Sequence, residues 1–126
     1  MAMASAGTRS LPLFDKYGGM SALRAVIMDF YDRALDSDVV GPFFENVDMA
    51  RLIDHQTKFM AMLLGGPVGF SEDRLQRAHA HLKVEHAHFD EIVALISQTL
   101  GDAGFSEDDR QTVLRAVEAR RPRIVT

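Results

Sequence analysis

Two histidines set among apolar residues carry the chemistry open to this chain. His79 lies between Leu75 and Leu82 at helical spacing, and His55 stands beside Gln56 in a stretch flanked by Leu52 and Phe59. An imidazole facing apolar surface needs a hydrogen-bond partner or a metal. The simplest partner serving both stripes at once is a flat apolar cofactor with a metal at its centre, of which haem is the commonest example. Tyr31 and Gln56 fall on the apolar stripes of two separate helices. Aimed into one cavity, their phenol and amide would stabilise a small polar ligand by about 1 kcal/mol net per bond. Bonded to each other, they would only fix the core.

Two other readings use the same residues. The run His79-Ala80-His81 with His86-Ala87-His88 suggests a divalent-metal site for zinc or nickel, although no HExxH motif is present. On a regular helix His79 and His81 point about 200° apart, so they do not share a metal. A cofactor-free interaction or sensor domain, with a collapsed core, is the third reading. The absence of cysteine excludes disulfides, thiolate nucleophiles and iron–sulfur clusters, so any metal is held by His, Asp or Glu. No Ser/His/Asp arrangement is recognisable, and Gly65-Gly66-Pro67 reads as helix punctuation rather than a phosphate loop.

At 126 residues the chain suits one domain, expected over 11–126 behind a flexible extension at 1–10. A hydrophobic share of 47%, a charged share of 25% and a net charge of -4 argue against disorder and against nucleic acid as a partner. The first ten residues carry Arg9 alone as a base and no signal-like apolar core, and the longest apolar run, 59–64, cannot span a bilayer. A cytoplasmic, soluble protein with no membrane span is expected.

The elements that must position these side chains are helices. Leu23, Val26, Ile27, Phe30, Tyr31, Ala34 and Leu35 follow the i, i+3, i+4, i+7 pattern of one buried face. Gly18-Gly19 separates this helix from a short one over 11–16. Gly41-Pro42 leaves Phe43 and Phe44 in a connection, where two phenylalanines are expected to cap something apolar. Asp48 is suited to cap a helix over 49–64 with Leu52, Gln56, Phe59 and Leu63 on one stripe. After a loop containing Phe70, a helix is predicted over 72–82, then one over 86–103 with Phe89, Ile92, Val93, Ile96 and Leu100 inward. Ser106 and Asp109 mark the start of a last helix over 107–120, with Val113, Leu114 and Val117 inward. The arginines at 110, 115, 120, 121 and 123 read as a solvated face and tail. No strand-like alternation occurs, so the fold class is all-α.

The fragments LFDKYGG (13–19), DFYDRAL (29–35), PFFENVDMARLIDHQTKFM (42–60), LLGGP (63–67), RAHAHL (77–82) and EHAHFDEIV (85–93) resemble, in order and spacing, the first group of truncated haemoglobins. The resemblance runs from about Leu13 to Val125. It implies a shortened globin fold, two helices over two, around haem b, with the glycine pairs at Gly18-Gly19 and Gly65-Gly66. It also implies His79 as proximal iron ligand, Tyr31 as distal tyrosine, Phe44 against the porphyrin, and Leu52, His55 and Gln56 over the iron, His55 being available as a sixth ligand. Phe43, Phe59, Phe70 and Leu75 would complete the apolar surround. Ile92 stands where the other two groups carry tryptophan, which favours the first. Glu72 departs from the glycine many relatives have there, and no histidine occurs near 120–126 for covalent haem attachment. The implied function is reversible binding of dioxygen, nitric oxide and carbon monoxide, with nitric oxide dioxygenation when a reductase supplies electrons.

Overall fold

The computed structural model describes residues 12–69, 72–80 and 82–125, and it is helical throughout. In chain order the helices are α1 (Leu13–Lys16), α2 (Gly19–Asp36), α3 (Met49–Leu63), α4 (Glu72–Ala80), α5 (His86–Asp102), α6 (Glu107–Glu118) and a last turn, α7 (Arg121–Ile124). A 3-10 turn over Gly41–Phe44 links α2 to α3. The long helix α2 packs on both α3 and α5, and α5 packs on α6, giving the two-over-two layering of a truncated globin. The predicted extension at 1–10 and its boundary at Leu11 lie outside the described residues.

The ends of these helices are chemically specified. Asp48 accepts a hydrogen bond from the Arg51 amide at 3.2 Å and so starts α3, and Ser106 does the same for Asp109 at the head of α6. Both α3 and α5 stop in Schellman turns. Gly65 and Gly104 take left-handed φ values of +83° and +92°, while the following amides, of Gly66 and Phe105, return to the carbonyls of Ala61 and Leu100. A side chain at either glycine would be strained.

Ser106 and Asp109 do not close the reciprocal capping box that their spacing suggests. Tyr17 stands between them: the Ser106 amide donates to Tyr17 Oη at 3.1 Å, and that hydroxyl donates to Asp109 at 2.6 Å. Lys16 also reaches Asp109, so α1 is bolted to the start of α6. The Tyr17 ring lies flat on Phe105 with centroids 3.7 Å apart.

The core is built from the inward faces of α2, α5 and α6, and each buried position predicted on α6 is buried. On α3 two faces are buried, where the sequence predicts one. Thr57, Met60, Ala61 and Leu64 form a second buried face, of which Met60 also reaches the cavity that Leu52, Gln56 and Phe59 line. Two predicted ends are corrected. The helix expected over 72–82 is described over Glu72–Ala80 and Leu82 lies in a turn, and the helix expected to reach Arg120 stops at Glu118. Lys83, at φ +55°, turns the chain into Val84, which bridges in parallel to Val125.

The C-terminal arginines are not simply a solvated tail. Arg121 donates to Asp90 and to Glu118 at 2.6 Å each, contacts His86 at 3.1 Å, and lies 4.4 Å over the Phe89 ring. Arg120 donates to the Ala116 carbonyl and stacks toward Phe59. Together with the Val84–Val125 bridge, these contacts lay the chain end across the turn that follows α4. No helix among the described residues is long and apolar enough to cross a membrane.

Candidate functional site

A cavity of about 470 Å³ lies between α2, α3, α4 and α5. Its volume falls in the range of roughly 300–1,000 Å³ usual for cofactor sites. Nine of the ten residues singled out in the sequence line it: Tyr31, Phe43, Phe44, Leu52, His55, Gln56, Phe59, Leu75 and His79. The tenth, Phe70, lies outside the described residues, as does His81. A chamber of this size is incompatible with the collapsed core expected of a cofactor-free domain.

His79 comes from the last turn of α4, one turn beyond Leu75, which is 3% exposed. The imidazole Nδ1 lies 2.8 Å from the Leu75 carbonyl oxygen. A carbonyl can only accept, so Nδ1 carries the proton and Nε2 carries the lone pair. That tautomer is the one a metal requires of a neutral imidazole, and the backbone bond also fixes the ring's direction. Ala78 and Leu82 line the cavity beside it.

Tyr31 projects from α2 into the same cavity, 6% exposed. Its ring is held edge-on by Phe30 at 4.8 Å and by Phe44 at 5.6 Å. Burial pushes the phenol well above its ordinary pKa, so the hydroxyl stays protonated and able to donate. The mutual Tyr31–Gln56 bond left open by the sequence does not form. Among the described residues neither side chain has a hydrogen-bond partner, and both face the cavity. His55, half-buried, borders the same space one residue before Gln56.

The paired phenylalanines of the 3-10 turn explain themselves here. Phe44 packs on Tyr31, and Phe43 meets the ring of His88 edge-on at 4.8 Å. His88, part of the histidine run in the sequence, is a further cavity residue that the apolar stripes do not mark. It sits one residue before the inward Phe89, and that was the available signal. His86 is drawn to Arg121 instead. No three His, Asp or Glu side chains converge among the described residues, so the divalent-metal reading finds no cluster there.

The cavity fits haem on its own chemistry. One imidazole offers a backbone-oriented Nε2 lone pair, the walls are apolar, and phenol and amide donors face the chamber from α2 and α3. His79 would hold the iron, and Phe44, Leu52, Phe59 and Leu75 the porphyrin faces.

Comparison with known proteins agrees. Residues 12–125 match the family described as bacterial-like globin. The chain is 31% identical over 109 residues to the group 1 truncated haemoglobin of Tetrahymena pyriformis, covering 86% of this chain and 90% of that protein. Among solved structures it resembles the Fe(III) form of the truncated haemoglobin from Tetrahymena pyriformis, with a TM-score of 0.84, 30% identity, and coverage of 91% of this chain and 98% of that one. It also resembles the 2/2 haemoglobin from Synechococcus sp. PCC 7002 in the cyanomet state with covalently attached haem, at a TM-score of 0.83, 30% identity and the same coverage.

Proposed function

The chain belongs to the bacterial-like globins, as a group 1 truncated haemoglobin, and we propose that it binds dioxygen, nitric oxide and carbon monoxide through His79 on one side and Tyr31 with Gln56 on the other. Its cofactor is haem b and its general task is haem-based binding of a diatomic ligand. The observation that carries the finer reading is one largely apolar cavity lined by an imidazole, a phenol and an amide. It combines an imidazole oriented by the Leu75 carbonyl with a phenol that burial keeps protonated.

Bound haem supplies an iron at which a diatomic gas coordinates and gains partial negative charge. The residues of the chain do the rest. His79 presents Nε2 and keeps its proton on Nδ1, where the Leu75 carbonyl holds it. Tyr31 Oη and the Gln56 amide donate toward negative charge in the cavity, each bond being stronger for the charge on its acceptor. The apolar wall of Phe44, Leu52, Phe59 and Leu75 excludes water that would compete for those donors.

The task we assign is detoxification of nitric oxide. Nitric oxide, dioxygen and one electron give nitrate, and a reductase is the electron source. The test is an absorption spectrum of freshly purified protein, followed by nitric oxide consumption in air with an added flavoprotein reductase. A Soret band and nitrate produced in proportion to nitric oxide are expected. Material that takes up no tetrapyrrole rejects the haem site, and a Soret band without nitric oxide turnover rejects the detoxification task.

A further inference from the structure

His88 stands at the other end of the tautomer choice made by His79. Its Nδ1 accepts a hydrogen bond from the Glu85 amide at 3.0 Å at the start of α5. An amide N–H can only donate, so Nδ1 holds a lone pair and the single proton of the neutral ring sits on Nε2. The two ring nitrogens lie on opposite edges, so the Nε2–H is turned away from the helix start. Phe43 packs edge-on against the imidazole at 4.8 Å and stiffens it further. The side chain is half-buried and lines the cavity. Among the described residues nothing accepts the Nε2 proton.

This arrangement makes His88 a poor iron ligand and a good fixed donor. A metal needs the lone pair on Nε2, and the Glu85 amide has already claimed the one on Nδ1. A tetrapyrrole of the haem b type brings two carboxylates with its metal, and these need donors within the reach of an otherwise apolar chamber. Tyr31 and Gln56 face the cavity from α2 and α3, and His79 already gives its proton to the Leu75 carbonyl. Resting on the haem reading above, we propose that His88 donates its Nε2–H to a carboxylate of the porphyrin and thereby holds the cofactor in one seating.

Substitutions can separate this role from helix capping. His88→Asn retains a side-chain oxygen that can accept from the Glu85 amide, but it loses the Nε2–H. His88→Gln keeps an amide donor near the former Nε2 position. The holoprotein is prepared with haem b or with its dimethyl ester, and haem loss is followed by transfer to an excess of apomyoglobin.

With haem b, His88→Asn is expected to lose the cofactor about tenfold faster than the unaltered protein, a change of about 1.4 kcal/mol. His88→Gln should fall between them. With the dimethyl ester, the Asn variant and the unaltered protein should lose cofactor at the same rate. Equal acceleration with both cofactors would overturn the proposal and leave His88 a capping residue. No acceleration with either would overturn it as well. Failure of the haem reading itself looks different, because the unaltered protein would then take up neither cofactor.

Discussion

Tyr31 and Phe44 meet edge to face, with ring centroids 5.6 Å apart and planes at 84°. With Phe30 on another side at 4.8 Å, the phenol has little freedom to turn, and its hydroxyl is directed rather than merely present. A donor held in place by packing loses less entropy when it bonds a ligand.

Replacing Tyr31 by Phe keeps that packing and removes only the donor. Dioxygen release from the ferrous protein, measured by stopped flow, should accelerate more than tenfold, since tenfold corresponds to about 1.4 kcal/mol. An unchanged release rate would take Tyr31 out of ligand stabilisation. Because the ring contacts persist, thermal stability should change little, which separates this outcome from general damage.

His79→Gly removes an imidazole whose Nε2 lone pair is set by a backbone carbonyl. Tight haem retention should be lost, and added imidazole should restore a Soret band by filling the space the side chain left. Retention with an unaltered spectrum would show that the iron is held elsewhere.

The helical period was enough to place α2 and the inner faces of α5 and α6, because burial on those faces is decided by local repeats, but Leu35, expected on the buried face of α2, is 46% exposed at the helix end. The ends of α3 and α5 were legible for a different reason, since Gly65 and Gly104 adopt a backbone that other residues resist. The early end of α4 was not legible. Lys83 carries no turn preference of its own, and its left-handed backbone is accompanied by the pairing of Val84 with Val125, far away in the chain. The same holds for Arg121, whose partners Asp90 and His86 belong to another helix. Tyr31, Gln56 and His79 were legible because their residue types conflict with an apolar stripe. His88 escaped because its tautomer depends on a backbone amide three residues earlier.

The α1–α6 bolt should make stability fall in acid. The hydrogen bond from Lys16, and then that from Tyr17, hold the Asp109 carboxyl below its ordinary pKa. A carboxyl lowered in the folded state stabilises fully above its unfolded value, near 3.9, and that contribution is lost as pH falls through the folded value. Asp109→Asn should therefore melt at a lower temperature than the unaltered protein above about pH 5, with the gap closing below about pH 4. A gap that stays constant down to pH 2.5 would mean that the carboxylate's charge contributes nothing.

His55 is the second imidazole at the cavity, half-buried and one residue before Gln56, and among the described residues no hydrogen bond ties its ring down. A ring on the α3 wall would supply a second imidazole nitrogen to the iron that His79 would hold, when no outside ligand competes. The ferric protein should then give a low-spin absorption spectrum at neutral pH, and His55→Ala should convert it to high-spin with water in the open position. Exogenous ligands should also bind faster to the variant, because no internal group has to leave first. A high-spin spectrum in the unaltered protein would place His55 at the cavity edge only, while Tyr31 and Gln56 would keep their donor role unchanged.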